Sequence, residues 1–113
     1  MSINVNHPSF ITFLDNVTKT IVSEIDIKNY FNITPEKRAK LQKATLMVLK
    51  KSLKTRALVT DIEIKAFVIV LQKKNDESEN YEVSAILKDI IINFDDLNPQ
   101  PEKKNVSSAK VNT

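Results

Sequence analysis

Whether this chain is all-helical or mixed depends on residues 60–74, which read TDIEIKAFVIVLQKK. Thr60 and Glu63 have the spacing of a capping box, in which the threonine hydroxyl and the glutamate carboxylate each bind a backbone N–H group at the start of a helix. The β-branched and aromatic side chains between Ile62 and Leu71 would also suit a strand. Because propensity is a weak signal beside an explicit start signal, we predict a helix and keep the strand as the alternative.

This segment would be apolar on nearly every side as a helix. Such a helix is either the most buried element of a bundle or an element with a second face for a partner. The consecutive Ile90, Ile91 and Ile92 in a later segment add to this apolar surplus. If these apolar residues are exposed, they indicate an interface, because exposed apolar patches generally mark interfaces. The alternative is that they belong to an ordinary core.

The rest of the chain alternates helix-like apolar periods with polar connections. Ser9 is a plausible N-cap for the first helix, and Thr34 followed by Pro35 is a strong start signal for the second. We predict helices over 9–24, 35–56, 61–74 and 81–95, a short helical turn or an ordered connection packed on the core within 27–33, and a loop over 75–80.

The composition supports the same architecture. Among 113 residues there is no glycine, so hairpins that need a positive φ would be hard to build. The polar, proline-containing end of the chain has too little apolar surface to offset the entropy of ordering. We therefore predict an all-α fold, a small bundle of three to four helices over 1–97 with a flexible polar tail over 98–113.

Several classes of function are disfavoured by missing residue types. Without glycine the chain has no P-loop or dinucleotide fingerprint, and without cysteine it has no thiolate nucleophile or thiolate metal ligand. His7 is the lone histidine, and we interpret it as incidental. We expect no enzymatic activity, cofactor, metal or small-molecule substrate. The N-terminal residues lack signal-peptide features and no membrane-length apolar run occurs, so a cytoplasmic-type, non-secreted protein with no membrane partner is predicted.

Charge is strongly segregated along the chain. Residues 35–56 hold eight basic residues against Glu36, and residues 76–96 hold seven acidic residues against Lys88. We predict that residues of both charged regions bind partners. They are Lys37, Lys40, Lys43, Lys50, Lys51, Lys54 and Arg56 on the basic helix, and Glu82, Asp89, Asp95 and Asp96 on the acidic helix.

The basic helix has three interpretations. It could be a solvated face partly neutralised by the acidic helix. It could bind phosphates of nucleic acid, with little sequence reading because the cations are almost all lysine and no aromatic residue lies between Pro35 and Arg56. It could also meet the acidic face of a neighbouring subunit in an assembly.

The assembly interpretation uses both charged regions, so we expect a non-enzymatic structural protein that binds other protein subunits and forms oligomers. The small size and the Lys-, Ile- and Asn-rich composition would suit an accessory component of a bacteriophage virion, such as a capsid or neck protein. The alternative is a small nucleic-acid-binding or transcription-associated regulator that contacts phosphates through the basic helix 35–56.

Overall fold

A computed structural model describes residues 7–97 of this chain as a helical bundle. The helices are α1 (Pro8–Glu24), α2 (Pro35–Lys54), α3 (Asp61–Glu77), α4 (Tyr81–Ile92) and the single-turn α5 (Phe94–Leu97), and a 3-10 turn (Tyr30–Asn32) lies between α1 and α2. No strand occurs between residues 7 and 97. The predicted all-α bundle is confirmed, whereas the tail predicted over 98–113 lies outside the described residues.

The capping box at the start of α3 is present, and the strand alternative is wrong. The Glu63 backbone N–H donates to Thr60 Oγ1 at 3.2 Å, while the Thr60 N–H donates to Glu63 Oε1 at 3.1 Å. Both groups are local in sequence, so their spacing alone specifies this helix start. The helix is not buried all round, because Ile62 and Ile69 are exposed to solvent.

At the start of α1 the predicted cap is wrong by two residues. His7 is the N-cap, and its Nδ1 atom accepts a hydrogen bond of 3.1 Å from the Ser9 backbone N–H. Pro8 can occupy the first helical position because its φ is already helical and it has no N–H group to satisfy. His7 therefore has a structural role that the sequence interpretation missed.

Two helices end in the same glycine-type motif without glycine. Ala57 has φ 58° and Glu79 has φ 64°, which is the left-handed region. The next residue after each donates its backbone N–H to a carbonyl five positions back, from Leu58 to Leu53 at 3.1 Å and from Asn80 to Asn75 at 2.8 Å. These are Schellman motifs, and they end α2 two residues before the predicted boundary at 56.

The predicted loop over 75–80 begins too early, because α3 continues to Glu77. Asn75 is buried within the helix, and its amide nitrogen donates to the Leu71 carbonyl at 2.9 Å and to Thr18 Oγ1 at 3.1 Å. Its side-chain oxygen accepts from the Asn80 amide at 3.1 Å. A polar residue that looked loop-like thus joins α3 to α1 and to the turn before α4, because all its polar atoms find partners there.

One apolar core lies between the four longer helices. Phe67 of α3 is fully buried, with its ring centroid 5.9 Å from Phe10 in an edge-on arrangement and 5.5 Å from Phe13. One side of each helix faces this core, with the following residues buried: Leu14, Val17 and Ile21 on α1, Leu46, Leu49 and Leu53 on α2, Val68 and Leu71 on α3, and Val83, Ile86, Leu87 and Ile90 on α4.

The predicted fourth helix is interrupted at Asn93, which separates α4 from α5. Asn93 has φ −102° and ψ 18°, and its side-chain amide donates to Gln42 Oε1 of α2 at 3.2 Å. Phe94, directly after the break, is buried in the core. The Asn93 side chain therefore anchors the end of α4 to α2. The apolar period of the sequence does not predict this break, because the bond to Gln42 is a tertiary contact.

Candidate binding surfaces

The lysines of α2 form one surface along the solvent side of the helix. Lys43, Met47, Lys50 and Lys54 follow spacings of four, three and four residues, which bring them onto one line of an α-helix. Met47 is exposed in the middle of this line. Three exposed lysines flank it: Lys37, Lys40 and Lys51. We call these six lysines with Met47 the basic surface.

The two arginines of the predicted basic region lie elsewhere. The Arg56 guanidinium carbon lies 4.5 Å from the centroid of the Phe13 ring, a cation–π contact that fastens the α2–α3 connection to α1. Arg38 precedes Met47 by nine residues, which is half a turn beyond two full turns, so it faces the opposite side of α2. Its Nη1 atom donates to the Ile33 carbonyl at 2.6 Å. The positive charges of the basic surface are therefore all lysines.

A shallow groove of about 210 Å³ continues from the basic surface to the start of α3. Lys50 and Lys54 line it together with Asp61, and its apolar lining is Leu58, Val59 and Ile64. Val59 is 59% exposed, and Ile62 on the adjoining turn is 83% exposed. We call this the α2–α3 groove. It combines cations with accessible apolar side chains at one place.

The four predicted acidic residues do not form a matching surface. Glu82 lies in the first turn of α4, whereas Asp95 and Asp96 lie on α5 beyond the break at Asn93. Asp89 is half-buried and accepts a hydrogen bond through Oδ2. The structure therefore disperses the acidic group while it keeps the lysines together.

Asp89 belongs to a chain of hydrogen bonds between the 3-10 turn, α2 and α4. The Tyr30 hydroxyl donates to Asp89 Oδ2 at 2.6 Å and accepts from Gln42 Nε2 at 2.7 Å. Burial raises the pKa of Tyr30 above its usual value, and the adjacent Asp89 carboxylate raises it further. Tyr30 is thus held as a neutral donor, which suits a structural link and not a proton-transfer group near neutral pH.

A second groove, of about 320 Å³, lies beside the outer face of α4. The side chains of Phe31, Arg38, Ala85, Lys88 and Ile92 line it, and Tyr30 and Asp89 lie among them. Phe31 is 58% exposed and Ile92 is 77% exposed. We call this the α4 groove. Sequence reasoning anticipated surplus apolar surface near Ile92, but it missed Phe31, Arg38 and Lys88, since their proximity requires the bundle.

Residues 7–97 contain no group of three or more His, Cys, Asp or Glu side chains arranged to hold a metal ion. Within the same range no helix is long and apolar enough to cross a membrane. His7, the lone histidine of the sequence, is occupied in capping α1, where Nδ1 also lies 2.8 Å from Ser9 Oγ.

Comparison with known proteins adds no family assignment. No protein-family model, no curated protein sequence and no solved structure matches this chain.

Proposed function

We propose that this protein is a non-enzymatic assembly protein that binds another protein subunit through the basic surface and the α2–α3 groove. The observation that carries this proposal is their continuity. Lys50 and Lys54 belong to both, so a partner that pairs with the lysines also meets Val59. Protein interfaces combine an apolar centre with a polar, charged rim, which matches this arrangement.

The partner surface that fits is acidic at its edge and apolar at its centre. Electrostatic complementarity of this kind raises the rate of association and selects the partner, while burial of Val59 and Ile62 would supply affinity. Because Asp89 is engaged internally and the other predicted acids are dispersed, the acidic surface belongs more naturally to a different subunit than to the same face of a second copy. An accessory role in a bacteriophage particle, as a capsid or neck component, remains the finer form of this proposal.

This proposal is tested by recovery of the native complex with tagged full-length protein. Two variants disrupt the surface, Lys43→Glu/Lys50→Glu/Lys54→Glu and Val59→Ser/Ile62→Ser. A matched control places the same charge change on exposed lysines elsewhere, Lys19→Glu/Lys28→Glu/Lys73→Glu. Quantitative mass spectrometry should find a protein subunit that the wild type and the control retain and that both surface variants lose. A subunit retained equally by all four would contradict the proposal.

A second candidate function is phosphate-led binding of nucleic acid. One observation favours it: six lysines share one side of a single helix, with Glu36 the one acidic residue of α2. Such binding would be weakly sequence-specific, because lysine lacks the planar fork with which arginine reads base edges. The apolar α2–α3 groove has no role in it.

Affinity for a short DNA duplex across a salt series separates the two candidates. Nucleic-acid binding predicts affinity that falls steeply with salt, with a log–log slope reduced by about 3 in the Lys43→Glu/Lys50→Glu/Lys54→Glu variant. The Val59→Ser/Ile62→Ser variant should then bind the duplex like the wild type. No measurable duplex binding at low salt would remove this candidate.

A further inference from the structure

The outer face of α4 carries the pattern of a helix that packs against another helix. Tyr81, Ala85, Lys88 and Ile92 follow spacings of four, three and four residues, the spacing of a coiled-coil seam. Tyr81 is 58% exposed and Ile92 is 77% exposed, although both are large and apolar. Within the described residues no other element covers them. The opposite face of α4 is fully used by the core, so this is a second, separate apolar face.

Charges flank this face in a self-complementary way. At 100° per residue, Tyr81, Ala85 and Ile92 lie within about 40° of one another, while Lys88 lies on one flank and Asp89 on the other. Glu82 lies on the same flank as Asp89. When two parallel helices are related by a two-fold axis along their length, opposite flanks meet. Lys88 of each copy would then face Glu82 and Asp89 of the other, where the Asp89 carboxylate also accepts the internal hydrogen bond from Tyr30 and shares its groove with Arg38.

Shape agrees with charge. Ala85 is the smallest residue of the stripe and lies at its middle, where two helices approach most closely. The α4 groove runs beside the stripe with Phe31, 58% exposed, on its far side. A second α4 that packs along the stripe would place its own ridge of side chains into this groove, as helix packing requires.

We propose that the outer face of α4, with Phe31, is a homodimer interface in which two copies pack with α4 parallel to α4 about a two-fold axis. The occupant of the α4 groove is thus a second copy of this chain. This inference is independent of the proposed function, because the basic surface lies on α2 and shares no residue with the dimer face. Each dimer would present two basic surfaces, which increases its avidity for a partner that occurs in repeated copies.

Sedimentation equilibrium of the full chain tests the proposal with a matched pair of variants. Ile92→Glu places a charge in the interface, whereas Val22→Glu makes a similar change at an exposed aliphatic residue on α1, outside both proposed surfaces. The wild type and Val22→Glu should sediment as dimers, and Ile92→Glu as a monomer with unchanged helical circular dichroism. A monomeric wild type at the highest soluble concentration, or a dimer that Ile92→Glu leaves intact, would overturn the proposal.

The charge arrangement has its own test. Lys88→Glu should weaken the dimer by about tenfold, since two symmetry-related contacts change at once. Addition of Glu82→Lys in the same chain reverses both charges of the contact between positions 82 and 88 and should restore dimerisation in part, because Asp89 is unchanged. If Lys88→Glu leaves the dissociation constant unchanged, the packing of parallel helices is wrong.

The absence of cysteine allows a direct test of proximity to the axis. Ala85→Cys introduces a lone thiol that should face its copy and form a disulfide-linked dimer under mild oxidation. Ala39→Cys, an exposed alanine on α2, is the control and should cross-link only at the collision rate. Equal cross-linking of the two variants would argue against the parallel two-fold arrangement.

Discussion

The Tyr30 hydroxyl donates a 2.6 Å hydrogen bond to Asp89, a residue 59 positions further along the chain. This contact holds the 3-10 turn against α4, and Gln42 extends it to α2. One tyrosine therefore links three elements, and it also withdraws Asp89 from the acidic surface that the sequence predicted. The structural contribution of this link can be measured.

Tyr30→Phe should destabilise the fold by about 1–3 kcal/mol, because the half-buried Asp89 carboxylate and the Gln42 Nε2 group each lose their hydrogen bond to the Tyr30 hydroxyl. Denaturant unfolding followed by circular dichroism measures the change. Tyr81→Phe removes the same atom from an exposed tyrosine and should change stability by less than about 0.5 kcal/mol. Equal effects of the two variants would show that the buried hydrogen bonds contribute nothing.

The raised pKa of Tyr30 predicts a loss of stability in base. The folded state keeps Tyr30 protonated while the unfolded chain ionises it near its usual pKa of about 10. The contribution of this group is therefore complete below pH 10 and declines as the pH rises further. The difference in unfolding free energy between wild type and Tyr30→Phe should shrink above pH 10. A difference that stays constant between pH 8 and pH 11 would be inconsistent with the raised pKa.

The two left-handed residues are sites for stabilisation. A non-glycine residue at positive φ costs about 1–2 kcal/mol of steric strain, which a substitution by glycine removes. Glycine loses more backbone entropy on folding, so the net gain in stability is smaller than the strain. Ala57→Gly and Glu79→Gly should each stabilise the protein by about 0.5–1 kcal/mol. Ala39→Gly, at an exposed helical position, should destabilise it by a similar amount. Thermal unfolding of the three variants measures both signs, and a destabilised Ala57→Gly would contradict the argument.

Thr45 is fully buried on α2, and its hydroxyl has no hydrogen-bond partner. Thr45→Val keeps the shape and removes the unsatisfied oxygen, so it should stabilise the fold by about 1–2 kcal/mol. Thr60→Val makes the same chemical change at the N-cap of α3, where the hydroxyl is used, and should cost about 1 kcal/mol. Opposite signs for the two threonines are the expected result. Destabilisation by Thr45→Val would indicate that its hydroxyl is satisfied in solution.

Glu63 should titrate below the usual range for glutamate. The Thr60 hydroxyl donates to its carboxylate at 2.8 Å, and this bond with the Thr60 backbone N–H lowers the pKa of Glu63. The capping box therefore contributes above the unfolded pKa of about 4.3 and is lost as the pH falls through the lower folded value. An NMR titration of the Glu63 carboxyl carbon should move toward the ordinary midpoint in Thr60→Val. Identical midpoints in the two proteins would rule out the hydrogen bond as the cause.

The signals that predicted the fold correctly are all short in range. Thr60 with Glu63, and Thr34 with Pro35, specify helix starts because each partner lies within one turn of the other. The helix ends were predicted less well, because Ala57 and Glu79 adopt a conformation usually reserved for glycine. Neither alanine nor glutamate predicts such an end, because non-glycine residues seldom adopt a positive φ.

The candidate surfaces divide in the same way. The lysines of the basic surface could be placed on one side of α2 from the helical period alone, because spacings of three and four residues fall on one face of a helix. Arg38, Arg56 and Asp89 could not be placed, since each binds a partner that the fold brings to it. The α4 groove was invisible to sequence for the same reason, as Phe31 and Ile92 are 61 positions apart.

By itself the sequence determined that the chain is helical, where α2, α3 and α4 begin, and that lysines crowd one side of α2. These properties depend on backbone capping and on spacings of three and four residues, so they are local. Only the tertiary structure decided which charged side chains remain at the surface and which apolar side chains are exposed to solvent. Those outcomes depend on contacts between residues distant in sequence, whose energies no local pattern contains.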